Sequence, residues 1–243
     1  MHRFFISKNN FVQDRVELPD EISRQIKNVL RLRNQEHVTI LDNEGMQYEV
    51  VIEENQQKPV WAKIINIEMV SSEPKVKIGL FVSLTGREKF ELILQKCTEI
   101  GVYKFHPFVS SRSLVDETKF SGKQGRWQSI LREAAEQSSR GRIPILSQPQ
   151  ALNEVLKTAK QEYSHVLFAW EEAGADQSIN HINFDHGTNS YALFIGPEGG
   201  FSEEEAQIAV DLGATLVSLG KRILRMETAA IAASFYVINQ IEV

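Results

Sequence analysis

Two patterns of apolar and polar positions divide the chain. Over roughly the first seventy residues the apolar runs are short, rich in valine and isoleucine, and separated by polar turns, which predicts strands at 3–6, 38–41, 48–52 and 60–67. A single helical stretch at 21–30 follows the Pro19-Asp20 start signal. Asp42-Asn43-Glu44-Gly45 predicts a hairpin and Gln56-Gln57-Lys58-Pro59 a second turn, so this part reads as a small β-barrel. After the polar break Ser71-Ser72-Glu73-Pro74 the grammar changes to strands alternating with longer helices. Strands are expected at 76–82, 105–109, 164–170, 191–195 and 215–219, and helices at 88–100, 127–138, 153–161, 202–212 and 228–238, with Gly101 closing the first of these helices. The expectation is an α/β domain over 73–243 behind a small β domain over 1–72.

Composition narrows the classes. With 243 residues, 42% of them hydrophobic, the chain can bury a substantial core. No apolar run reaches the length of a membrane span and the N-terminus lacks a signal-peptide core, so a cytoplasmic protein is expected. One cysteine, Cys97, excludes an internal disulfide, and the six histidines lack ligand spacing, so no metal site is expected. The net charge of -5 conceals an uneven distribution. Residues 75–145 carry 13 Lys and Arg against 7 Asp and Glu, whereas residues 146–243 carry 5 against 13. A basic middle suits a phosphate backbone, although ordinary variation among solvated faces would also produce it.

The sharpest motif is Gly196-Pro197-Glu198-Gly199-Gly200, where the strand ending at Ile195 empties into a glycine loop before a helix. Ser202 and Glu205 form a capping-box pattern at that helix start. Such loops often cradle phosphate, but Glu198, Glu203, Glu204 and Glu205 would repel one. A cationic ligand without phosphate, such as S-adenosylmethionine, fits better; a tight structural turn is the alternative. A second strand leads through Leu219-Gly220 into Lys221-Arg222-Ile223-Leu224-Arg225 and a helix apolar on nearly every side. Both loops should lie at the carboxyl ends of adjacent strands and frame one pocket, with Leu219, Ile223 and Leu224 enclosing an adenine. The helix end bearing Gln137 and Arg140, and Arg112 beyond a strand end, offer groups for phosphate or a base edge, or simply solvated ends.

Taken together, these motifs resemble a known family. The glycine loop with its acids, LGKRILRMETAA, EAAEQSSRGRIP and EKFELILQKCTEIGV are similar to the RsmE family, which methylates N3 of a uridine in 16S ribosomal RNA. His2-Arg3-Phe4-Phe5 and Val29-Leu30-Arg31-Leu32 resemble that family's PUA-like domain, although Gln25 and Gln35 replace its frequent histidine and glycine. The resemblance implies a trefoil-knotted SPOUT domain, S-adenosylmethionine as cofactor, and a homodimer acting on 16S RNA or the small ribosomal subunit. Cofactor contacts are then expected from Phe168, Ile195, Gly196, Glu198, Gly199, Gly200, Leu219, Gly220, Ile223, Leu224 and Arg225, and RNA or acceptor contacts from Gln137, Arg140 and Arg112. Glu198 and Glu227 are the candidates for removing the uridine proton, or equally for tying down the pocket by hydrogen bonds to backbone. A non-catalytic RNA-binding or ribosome-assembly protein, and an enzyme acting on a small molecule, are the competing readings.

Overall fold

A computed structural model describes residues 1–53, 58–115, 122–184 and 190–242, so the expected turn at 56–59 lies partly outside the described residues. The chain forms two compact units, one of residues 1–73 with 135–143, the other of residues 74–134 with 144–243. The expected division at 72/73 therefore needs one amendment, because a nine-residue piece of the middle segment belongs with the first unit.

The first unit is a curled six-stranded sheet. Its strands are β1 (Arg3–Phe5), β2 (Phe11–Val12), β3 (Arg15–Leu18), β4 (His37–Leu41), β5 (Met46–Ile52) and β6 (Val60–Met69), in the order β1-β4-β5-β6-β3-β2. Every pairing is antiparallel except β1 with β4. Phe4, Ile6, Val16, Val38, Ile40, Val50, Ile52 and Ala62 fill its interior. Helix α1 (Asp20–Arg24) runs on through wider turns to Leu30 and ends at Arg31 in the left-handed region, φ 55. The expected hairpin forms because the Asp42 carboxylate accepts hydrogen bonds from the Glu44 and Met46 amides at 2.8 and 3.0 Å, while Gly45 takes φ +102. The β2–β3 hairpin was not expected: its turn, with Gln13 at φ 54, lacks the usual glycine. A satellite cluster of Phe5, Leu41, Val70, Ala135 and Ile143 holds the 135–143 piece in this unit.

The second unit is a parallel sheet of β7 (Lys77–Ser83), β8 (Lys104–Val109), β9 (Ile145–Leu146), β10 (Gln150–Ala151), β11 (His165–Ala169), β12 (Ser190–Ile195) and β13 (Thr215–Val217). The order is β10-β8-β7-β12-β11-β13, with β9 also on β8. Its helices are α2 (Arg87–Ile100), α3 (Gln124–Gln137), α4 (Leu152–Glu162), α5 (Glu203–Asp211) and α6 (Met226–Glu242); α3 begins here and its last turn enters the 135–143 piece. Gly101 ends α2 at φ +120, and α6 packs on α2. Central strand β7 is buried from Ile78 to Ser83, as a parallel sheet covered on both faces requires.

One buried group in this sheet makes stability depend on pH. His106 on β8 stacks on Phe81, centroids 4.1 Å apart, and its Nε2 hydrogen-bonds the Tyr163 hydroxyl at 3.1 Å. Burial and the nearby Lys104 charge push its pKa down to about 4 from 6.5. Between those values the unfolded chain binds the proton and the folded chain does not, so stability rises with pH across this window and is flat above it. About 3 kcal/mol should be lost between pH 7 and pH 4. Urea midpoints for His106→Gln measured across this range are expected to show a flatter profile than the parent.

Candidate functional site

Ligand sites of open α/β sheets lie beyond the carboxyl ends of the strands. Here β12 and β13 are not neighbours, contrary to the expected side-by-side loops: both pair with β11, which lies between them. After β12 the chain forms α5 and crosses over to β13 on the far side of β11. Three loops rather than two therefore converge, and residues 169–171, 195–198, 200–201 and 218–227 enclose a cavity of about 370 Å³.

Most of the expected cofactor residues lie in its lining: Ile195, Gly196, Glu198, Gly200, Leu219, Gly220, Ile223, Leu224 and Arg225. Phe168 is placed elsewhere. It is fully buried, its ring 4.0 Å from that of Phe201 in the core, and the residues that follow it, Ala169, Trp170 and Glu171, take the place at the cavity. Gly199 is also outside the lining; its carbonyl accepts a hydrogen bond from Arg112 Nη1 at 3.1 Å. The same guanidinium donates to the Phe201 carbonyl at 3.3 Å, so Arg112 acts as a clasp on the glycine loop. Ile223 lines the cavity while 89% exposed, which puts its side chain at the open edge.

The glycine loop is set by its neighbours. Gly200 has φ +67, and a Cβ there would lie 1.9 Å from Glu171 Oε1, so the loop packs directly under a side chain of the third loop. The capping box at α5 forms as expected, Ser202 Oγ accepting from the Glu205 amide at 3.1 Å and Glu205 accepting from the Ser202 amide at 2.9 Å. The other Glu205 oxygen accepts from the Ser111 amide at 2.8 Å, tying α5 to the loop that bears Arg112. Glu203, Glu204 and Glu205 do not line the cavity, so they do not supply the acidity for which they were singled out.

The acids that do line it are Glu171, Glu198 and Glu227. Glu198 accepts from Thr85 Oγ1 at 2.5 Å and Lys89 Nζ at 2.8 Å. Burial pushes its pKa up, but those two hydrogen bonds, a third from its own backbone amide and the Lys89 charge together outweigh it and hold the carboxyl below its usual range. An ionised, doubly bonded carboxylate is a poor proton acceptor, so Glu198 is a brace between the glycine loop and α2. Glu227, in the first turn of α6, has a buried Oε2 without a hydrogen-bond partner, and the indole Nε1 of Trp170 is likewise buried and unpartnered. Buried polar atoms are ordinarily satisfied. An orphan acceptor and an orphan donor on the lining of one cavity mark it as built for a polar ligand.

Gln137 and Arg140 lie in the first unit. Gln137 is exposed at the end of α3. Arg140, expected to reach RNA, is 2% exposed and grips Glu73 through two bonds, Nη2 to Oε2 at 3.0 Å and Nε to Oε1 at 3.3 Å. Glu73 Oε1 also accepts from the Gly141 and Arg142 amides at 2.8 and 3.1 Å. Arg140 is thereby committed to folding the turn it sits in. The residues that sequence reasoning missed are Trp170, Glu171, Thr85 and Lys89. A strand ending in Trp170-Glu171-Glu172 carried a signal for the first two, whereas nothing local marks Thr85 and Lys89.

Comparison with known proteins agrees with this geometry. Residues 72–238 match the RNA methyltransferase domain family. Ribosomal RNA small subunit methyltransferase E of Mesomycoplasma hyopneumoniae is 35% identical, covering 95% of this chain and 96% of its own. The protein of that name from Bacillus subtilis is 29% identical, over 96% and 94%. Among solved structures, ribosomal RNA small subunit methyltransferase E from Neisseria gonorrhoeae bound to S-adenosyl methionine superposes with a TM-score of 0.85 at 31% identity, over 99% and 98% of the two chains. A Legionella pneumophila methyltransferase in complex with the same cofactor gives 0.84 at 30% identity, over 98% and 97%. The curled sheet and the parallel sheet are thus a PUA-like unit and a SPOUT-type α/β unit. Among the described residues no helix is long and apolar enough to cross a membrane, and no cluster of three His, Cys, Asp or Glu side chains could hold a metal. From the matched domain, the near full-length identities and the shared fold, the chain belongs to the ribosomal RNA small subunit methyltransferase E family.

Proposed function

We propose that the protein transfers the methyl group of S-adenosylmethionine to N3 of a uridine in small-subunit ribosomal RNA, in the cytoplasm and as a homodimer. The observation that carries the reading is the cavity at the ends of β11, β12 and β13, with its unpartnered Glu227 oxygen and Trp170 N–H. Its volume falls in the range of cofactor sites, and its acids suit a ligand with an ammonium and a sulfonium. When bound, the cofactor supplies an activated methyl group. The protein's part is positioning: the Gly200 turn, the Arg112 clasp and the Glu198 brace fix the loops in advance, so little order is lost on binding. Uracil N3 carries a proton that must leave, and Glu227, whose buried Oε2 has no hydrogen-bond partner, is the group suited to receive it. Support for a dimer comes from Phe235 on α6, 58% exposed, and Leu92 on α2, 39% exposed, two apolar side chains on helices that pack together.

Incubating the protein with small-subunit particles lacking the modification and labelled S-adenosylmethionine tests this directly. Labelled 3-methyluridine is the expected product. Label in another nucleoside would overturn the N3 assignment, and cofactor binding without any transfer would favour a non-catalytic assembly role. Glu198→Ala should leave the Lys89 ammonium and Thr85 hydroxyl without their partner and raise the cofactor Kd about tenfold by titration calorimetry.

A further inference from the structure

The rim of the cavity between Gly220 and Arg225 combines two features that ordinary surfaces keep apart. Lys221, Arg222 and Arg225 are exposed, and none forms an ion pair among the described residues, although the chain as a whole is acidic. Among them stands Ile223, 89% exposed, the most exposed large apolar side chain of the described residues. Gly220, at φ +115 with open space around it, turns the chain immediately before this segment.

An isoleucine held in solvent among three cations fits poorly as a contact between identical copies. A twofold contact centred on this loop would set its three cations against their own copies. A nucleic-acid strand offers the complementary chemistry, phosphates for the cations and base faces for the apolar side chain. A base can enter the cavity only if it leaves its stack, which opens a gap beside the mouth.

We infer that the loop at 220–225 is the RNA-strand clamp of this site, with Lys221 and Arg222 holding phosphates that flank the target nucleotide and Ile223 filling the gap the target leaves in the stack. This rests on the methyl-transfer reading above, and it moves the grip on RNA from the basic middle segment to the rim of the cavity itself.

The test uses the full-length protein and small-subunit particles whose 16S ribosomal RNA lacks the modification. For Lys221→Ala with Arg222→Ala, the slope of log affinity against log salt should shrink by about 1.5. For Ile223→Ala, kcat/KM for RNA should fall about tenfold with the salt slope unchanged, Ile223→Leu should restore it, and sedimentation should show the parent's oligomeric state. An unchanged slope in the double variant overturns the clamp. Loss of cofactor binding in either variant, or a changed oligomeric state in Ile223→Ala, overturns it in favour of a cofactor or subunit contact. If the parent protein itself neither binds nor methylates the RNA, the functional reading fails and the clamp falls with it.

Discussion

Gly200→Val is expected to weaken S-adenosylmethionine binding at least a hundredfold while leaving a folded protein. Two effects add at this position. The backbone sits at φ +67, where a β-branched residue is a steric outlier costing about 1–3 kcal/mol. The new Cβ also falls 1.9 Å from Glu171 Oε1, so either the loop or the Glu171 side chain must move, and both belong to the cavity. Glu171 is exposed and can swing aside, which keeps the damage local and the chain folded. The strain is relieved most easily by opening the glycine loop, and this is what destroys the preformed site. Calorimetry reads the affinity, and circular dichroism reads the fold. Gly86→Ala, with nothing within 4 Å of its added Cβ and an ordinary backbone at φ -55, is the matched control and should bind like the parent. Near-parent affinity in Gly200→Val would show that the ligand lies elsewhere.

The second large effect is on stability. Arg140→Ala should destabilise the protein by about 3–5 kcal/mol, because it leaves the Glu73 carboxylate, 19% exposed, without its guanidinium. The Gly141 and Arg142 amides would still bond Glu73 Oε1, which keeps the loss toward the lower end. Denaturant unfolding of Arg140→Ala, Glu73→Gln and the double variant closes a mutant cycle, and a coupling of more than 1 kcal/mol is expected. A stable Arg140→Ala that has lost only RNA methylation would restore the direct contact suggested by the sequence.

Much of the architecture was legible because its elements are the kind that periodicity reports. Residues 88–100 place Phe90, Ile93, Leu94 and Cys97 on one face, and the observed α2 buries these residues. The strands at 191–195 and 215–219 and the glycine loops between elements were equally plain. What stayed hidden depends on neighbours distant in the chain. Nothing in residues 164–170 reveals that β11 sits between β12 and β13, yet that placement brings Trp170 and Glu171 to the cavity and sends Phe168 into the core. An arginine in a polar helix end looks the same whether it meets solvent or a glutamate 67 positions away, so the burial of Arg140 could not be read locally. Glu198 showed its charge but not Thr85 and Lys89, 113 and 109 positions earlier, which decide what the charge does.

The short segment 135–143 has a consequence for how this molecule can be taken apart. Since the backbone leaves the first unit at residue 73 and returns to it for nine residues much later, a single cut cannot separate the units. A fragment ending at residue 73 would expose Phe5, Leu41 and Val70 where Ala135 and Ile143 now pack, and would strand Glu73 without Arg140. Limited proteolysis between the units should therefore yield nicked but associated chains, and a graft of the PUA-like unit onto another protein would have to carry both pieces. The two units are not exchangeable cassettes, because a recombination event at the apparent boundary would part the two pieces of the first unit.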